Sequence, residues 1–109
     1  MNRQQKLFWA FLSFNGDTDN GGVSQFVLNR PKFIVAAAET WKELGIEELE
    51  RDYNSVITEL KSKTSEISEL KSFETIENYY YDMDFKKKIY KKVADFIENN
   101  IGRLASIEK

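Results

Sequence analysis

Residues 31–62 read PKFIVAAAETWKELGIEELERDYNSVITELKS, and their spacing decides the fold. Phe33, Ile34, Ala37, Ala38, Trp41 and Leu44 recur at three- and four-residue intervals, the repeat of one face of an α-helix. Pro31 suits the first helical position, where its φ is pre-set and no N–H is needed. Gly45 is the natural stop, because a residue without a Cβ closes a helix in the left-handed conformation at least cost. Ile46, Leu49, Tyr53, Val56, Ile57 and Leu60 then resume the same repeat. Two helices, 31–44 and 46–62, joined by so short a connection predict an antiparallel hairpin.

On the N-terminal side, residues 23–29 (VSQFVLN) predict a short helix, with Val23, Phe26 and Val27 on one face and Arg30-Pro31 as its break. Residues 15–22 (NGDTDNGG) predict a loop, since every residue but Thr18 is a favoured turn former. Residues 4–14 predict a first helix carrying Leu7, Phe8, Phe11, Leu12 and Phe14, with a strand as the competing reading. On the C-terminal side, residues 62–75 are polar and predict a loop or a frayed turn. Residues 76–83 (IENYYYDM) are aromatic and ambiguous. Residues 84–99 predict a helix that buries Phe85, Ile89, Val93, Phe96 and Ile97, with Asn100 and Gly102 at its end and 103–109 as a tail. The expected architecture is all-α: one domain over residues 1–109, about five helices, the hairpin packed against the first and last.

Composition bounds the chemistry. The 109 residues contain no His and no Cys. That removes imidazole catalysis near neutral pH, thiol nucleophiles, Cys/His zinc sites and disulfides. Eight Phe, five Tyr and two Trp supply enough apolar surface for a packed core, and leave some to spare for a homodimer. No apolar run approaches the roughly 20 residues of a membrane span. Leu7 to Leu12 after Arg3 and Lys6 is short for a signal peptide and has no small-residue cleavage site, so the sequence reads as cytoplasmic.

Sixteen bases against eighteen acids give a net charge of −2. The total hides a partition. Residues 1–38 carry four bases and two acids, +2; residues 39–84 carry five bases and thirteen acids, −8; residues 85–109 carry seven bases and three acids, +4. On the two hairpin helices, Glu39 and Glu43, and then Glu48, Asp52 and Glu59, fall away from the apolar face, which predicts an acidic surface for a basic protein partner. Lys87, Lys88 and Lys91 lie opposite the buried face of the last helix and make nucleic-acid binding the runner-up reading. The 15–22 loop fails the EF-hand pattern in either register, so no metal and no cofactor is expected. A small enzyme is the third class, with only carboxylates, Tyr, Lys, Ser and Thr to work with. The leading reading is a non-enzymatic protein-binding module.

The stretch Asp19-Asn20-Gly21-Gly22-Val23-Ser24-Gln25-Phe26-Val27-Leu28-Asn29 resembles the signature of a bacterial DNA-mimic protein family. Further matches follow in order: Ala36-Ala37-Ala38 through Leu44-Gly45-Ile46-Glu47, then Tyr79-Tyr80, then Phe96-Ile97-Glu98-Asn99-Asn100. The resemblance implies an all-α fold. It also implies a surface of carboxylates that stands in for DNA phosphates and occupies a DNA-binding transcription factor. Within the signature, Asn20, Gly21, Gly22, Gln25, Phe26 and Asn29 are expected to be structural. The glycines allow a tight approach to the short helix. Gln25 and Asn29, four apart and on one face, are expected to satisfy backbone groups of the 15–22 loop or of the next helix.

Overall fold

A helix starts where its first N–H groups find acceptors. At the N-terminus Asn2 and Gln5 supply them for each other: the Asn2 Oδ1 accepts from the Gln5 backbone N–H and the Gln5 Oε1 from the Asn2 N–H, both at 2.9 Å. The computed structural model describes residues 1–62 and 70–106. Among them run α1 (Arg3–Gly21), α2 (Val23–Asn29), a 3-10 turn (Pro31–Phe33), α3 (Ile34–Leu44), α4 (Glu47–Ser62), α5 (Lys71–Tyr80), α6 (Met83–Asn99) and α7 (Ile101–Leu104). The all-α expectation holds among the described residues, with seven helices rather than about five.

The hairpin is present. Gly45 takes the left-handed conformation, φ 70° and ψ 35°. Its N–H reaches the Lys42 carbonyl at 3.2 Å and the Ile46 N–H the Trp41 carbonyl at 3.0 Å, the two bonds that close a helix in a Schellman motif. The Tyr53 hydroxyl, midway along α4, donates to the Ile34 carbonyl at the start of α3 at 2.6 Å, so α4 runs back along α3. Pro31 opens a 3-10 turn, and the α-helix proper begins at Ile34.

Three expectations are corrected. Residues 15–21 are not a loop but the second half of α1. Their turn-forming side chains are engaged by distant residues instead. The Asn15 Oδ1 accepts from the Tyr80 hydroxyl at 2.7 Å and from Lys86 Nζ at 2.9 Å, and the Tyr81 hydroxyl donates to the Thr18 carbonyl at 2.7 Å. Asp19 pairs with Lys86 at 2.5 Å. Residues 71–75 are likewise helical, as the start of α5; residues 63–69 of the expected loop lie outside the described residues. Finally, residues 103–106 are tied down. Asn2 Nδ2 donates to the Arg103 carbonyl at 2.8 Å, and Gln5 Nε2 to the carbonyls of Leu104 at 3.2 Å and Ser106 at 2.7 Å. Residues 107–109 of the expected tail lie outside the described residues. The ambiguous 76–83 segment is α5 as far as Tyr80, then the corner into α6.

Phe14 is the hub of the core. It is fully buried and meets four aromatic rings edge-on: Phe26 of α2 at 5.1 Å between centroids, Trp41 of α3 at 4.9 Å, Tyr53 of α4 at 6.0 Å and Tyr80 of α5 at 5.2 Å. Edge-to-face pairs add about 0.5–1.5 kcal/mol each beyond the area they bury. Ile89 and Val93 bring α6 onto the same cluster. Helices α1 to α6 therefore share one core, and the molecule is a single compact globule with a radius of gyration of 13.9 Å.

Candidate functional site

The five carboxylates expected on one surface are divided among three places. Glu39 and Glu43 sit on α3 beside the start of α1, where Arg3 lies 2.7 Å from Glu43 and 3.9 Å from Glu39. Glu59, near the end of α4, accepts the Ser72 backbone N–H at 2.8 Å and so caps the first turn of α5. Glu48 and Asp52 stand one turn apart at the start of α4.

Asp52 is not exposed, contrary to the helical-wheel expectation. It is 8% exposed, because it borders the Leu49–Val56 stripe and α5 closes over it. Its Oδ2 accepts the Tyr79 hydroxyl at 2.8 Å, while Arg51 Nε meets Oδ1 at 2.9 Å and Arg51 Nη2 meets Oδ2 at 3.1 Å. The Arg51 hydrogen bonds, with the Tyr79 hydroxyl behind them, hold the Asp52 carboxyl below its usual pKa against the opposing cost of burial. Burial, and then the Asp52 carboxylate, push the Tyr79 hydroxyl up. The pair is thus fixed as carboxylate acceptor and phenol donor.

Above this pair lies an open groove between the start of α4 and the α5–α6 corner. Glu48, Asn78, Tyr79, Asp82, Asp84, Phe85 and Lys88 line it. Tyr79 and Phe85 stack edge-to-face at 4.7 Å and form its aromatic floor. Asp82 is the N-cap of α6 and accepts the N–H groups of Asp84 and Phe85, each at 3.1 Å. Asp84 stands in the first turn of α6, exposed and with no ion pair among the described residues. The helix dipole favours carboxylates at both positions. Glu48 takes the Lys88 ammonium on both oxygens, at 2.8 and 2.9 Å, and this bond holds its carboxyl below the usual range.

Sequence reasoning missed Asp82 and Asp84 as members of this surface. The signal was an Asp-x-Asp pair directly before Phe85, the first buried residue of the last helix, which is an N-cap with an acidic first turn. No helix among the described residues is long and apolar enough to cross a membrane. Among the described residues no group of three or more carboxylates is placed to hold a metal ion.

The basic patch is partly spent. Lys88 is on Glu48, Lys91 lies 3.6 Å from Asp95, and Lys87 is exposed.

The signature residues lie around the junction of α1 and α2 and along α2. Gly22 has φ 82° and lies against Glu77, whose Oε2 accepts the Val23 N–H at 2.8 Å and so caps α2. The Gln25 side chain lies over Gly21, and its Oε1 is 3.4 Å from Asn20 Nδ2. Phe26 is wholly buried. Asn29 is exposed at the end of α2 and makes no side-chain hydrogen bond among the described residues. The expectation that Gln25 and Asn29 would satisfy backbone groups is therefore replaced by Glu77, which does so for Val23.

A small globule, all-helical among the described residues, with an aromatic core and a groove lined by carboxylates beside a Tyr–Asp pair, defines the class: a helical domain that presents carboxylates at its surface. The chain belongs to the DMP19-like protein family, whose model matches residues 1–100, and that family is one of DNA-mimic proteins. No protein of curated function and no solved structure matches it.

Proposed function

We propose that this chain is a non-enzymatic protein-binding module of the DNA-mimic kind. Its groove between α4 and the α5–α6 corner receives basic side chains of a DNA-binding protein. One observation carries the reading: Glu48, Asp82 and Asp84 line a single open groove, together with Tyr79, whose hydroxyl donates to Asp52. Spaced, outward-facing carboxylates are what a surface evolved to contact phosphates would engage. Membership of a DNA-mimic family supports the same reading. The place of action in this reading is the cytoplasm, where a transcription factor is met.

The test is a pull-down from host-cell lysate on the immobilised chain, followed by elution with duplex DNA. The expected result is recovery of a DNA-binding protein that duplex DNA releases. The Glu48→Gln/Asp84→Asn double variant should lose it; Asp82 is left intact because it caps α6. A captured protein that ignores both the DNA and the double variant would overturn the proposal.

A further inference from the structure

The acidic groove is not empty of cations. Lys88, on the second turn of α6, places its ammonium on both oxygens of Glu48, 5.9 Å from the centre of the Phe85 ring. The neighbouring Lys87 and Lys91 do not enter the groove. Carboxylate oxygens together with an aromatic ring are the surroundings that an ammonium or guanidinium finds favourable. One such group from the chain itself is already seated there.

We propose that Lys88 is a resident cation, which a lysine or arginine of the partner must displace before it can use Glu48. This inference rests on the acidic groove being the binding surface. The Lys88–Glu48 pair is well placed for exchange, since the two side chains are 40% and 37% exposed and an exposed ion pair is held only weakly. A partner with one basic side chain gains little by replacing one cation with another. A partner with several closely spaced basic groups gains, because the rest of its charges meet Asp82 and Asp84. Lys88 thereby sets a threshold of partner basicity, and the groove selects strongly cationic surfaces.

The test measures binding of a fluorescein-labelled nonaarginine peptide to the full chain by fluorescence anisotropy, at low and at physiological salt. Wild type, Lys88→Met, Lys87→Met and Glu48→Gln/Asp84→Asn are compared, each with a melting curve to establish that it folds. Lys88→Met should bind roughly fivefold more tightly, the factor that release of one exposed ion pair supplies at most. Lys87→Met, which removes the same charge from outside the groove, should change affinity by less than about twofold. Equal effects of the two lysine variants would overturn the resident cation, because the gain would then come from the overall field. In that case, loss of binding in the double carboxylate variant would leave the groove reading standing. Peptide binding that is absent from all four proteins, or undiminished in the double variant, would overturn both.

Discussion

Gly22 and Glu77 show how one residue links the signature to the fold. Gly22 ends α1 and precedes α2 with φ 82° and ψ 175°, a region that residues with a Cβ rarely enter. A Cβ at this position would stand 2.7 Å from the Glu77 Oε2, the atom that accepts the Val23 N–H. Gly22→Ala therefore carries two costs, backbone strain and displacement of the α2 cap. It should destabilise the protein by about 2–3 kcal/mol, read as a lower urea midpoint at unchanged slope. Gly16 is the useful contrast. It is exposed on α1, and a methyl added there would meet nothing within 4 Å, so Gly16→Ala should be neutral or stabilise by up to about 1 kcal/mol in the same measurement. A Gly22→Ala protein as stable as wild type would remove the conformational reading of the Asn-Gly-Gly signature.

At the scale of elements, α1 is the informative case. Its first half is helical on its own periodicity, and its second half is helical because α5 and α6 hold it. Asn15 is the junction: it receives the hydroxyl of the buried Tyr80 and the ammonium of Lys86, which also lies 4.0 Å from the centre of the Tyr80 ring. Asn15→Leu would leave the Tyr80 hydroxyl without its acceptor in a buried place, at a cost of about 1–3 kcal/mol. Amides of residues 17–22 should then exchange with deuterium well before those of α3, by local opening. Uniform exchange across α1 and α3 in that variant would show the second half of α1 to be independently stable. This dependence explains what the sequence could disclose. α2, α3, α4 and α6 were legible because each carries an apolar stripe at the helical repeat and a local stop such as Gly45. The second half of α1 and the first turn of α5 were not, because their stabilising partners lie far along the chain: Tyr80, Tyr81 and Lys86 for one, Glu59 for the other. The groove follows the same rule. Glu48 and Asp52 were visible as acids of one helix, whereas Asp82 and Asp84 join them only once the α5–α6 corner folds onto α4. Asp52 was misplaced on the surface because a wheel shows only its own helix, and the ring that covers it belongs to Tyr79.

For the whole molecule, the partition of charge and the absence of His together fix how stability depends on pH. Glu48 and Asp52 have lowered pKa values in the folded state, Glu48 chiefly through Lys88 and Asp52 chiefly through Arg51. The unfolded chain therefore binds more protons than the folded one as pH approaches the ordinary carboxylate range from above. Stability from these two groups is present above their unfolded pKa values, near 4, and is lost as pH falls through the lowered folded ones. Buried and half-buried phenols act at the other end. Burial raises the pKa of Tyr53, Tyr79 and Tyr80 in the folded state. Their contribution is complete below the unfolded value, near 10, and is lost as pH rises past it toward the folded ones. Between these limits no side chain of this composition has an ordinary pKa, since His and Cys are missing. Thermal midpoints measured across the range should form a plateau from about pH 5.5 to 9, with an acid shoulder below about pH 4.5 and an alkaline one above about pH 10. The acid shoulder should soften in Arg51→Met, in which the Asp52 carboxyl loses its principal partner and its folded pKa moves back toward the unfolded one. An acid shoulder as steep in Arg51→Met as in wild type would mean that carboxylates other than Asp52 govern acid unfolding, and a distinct step inside the plateau would mean that a group besides these carboxylates and phenols titrates there.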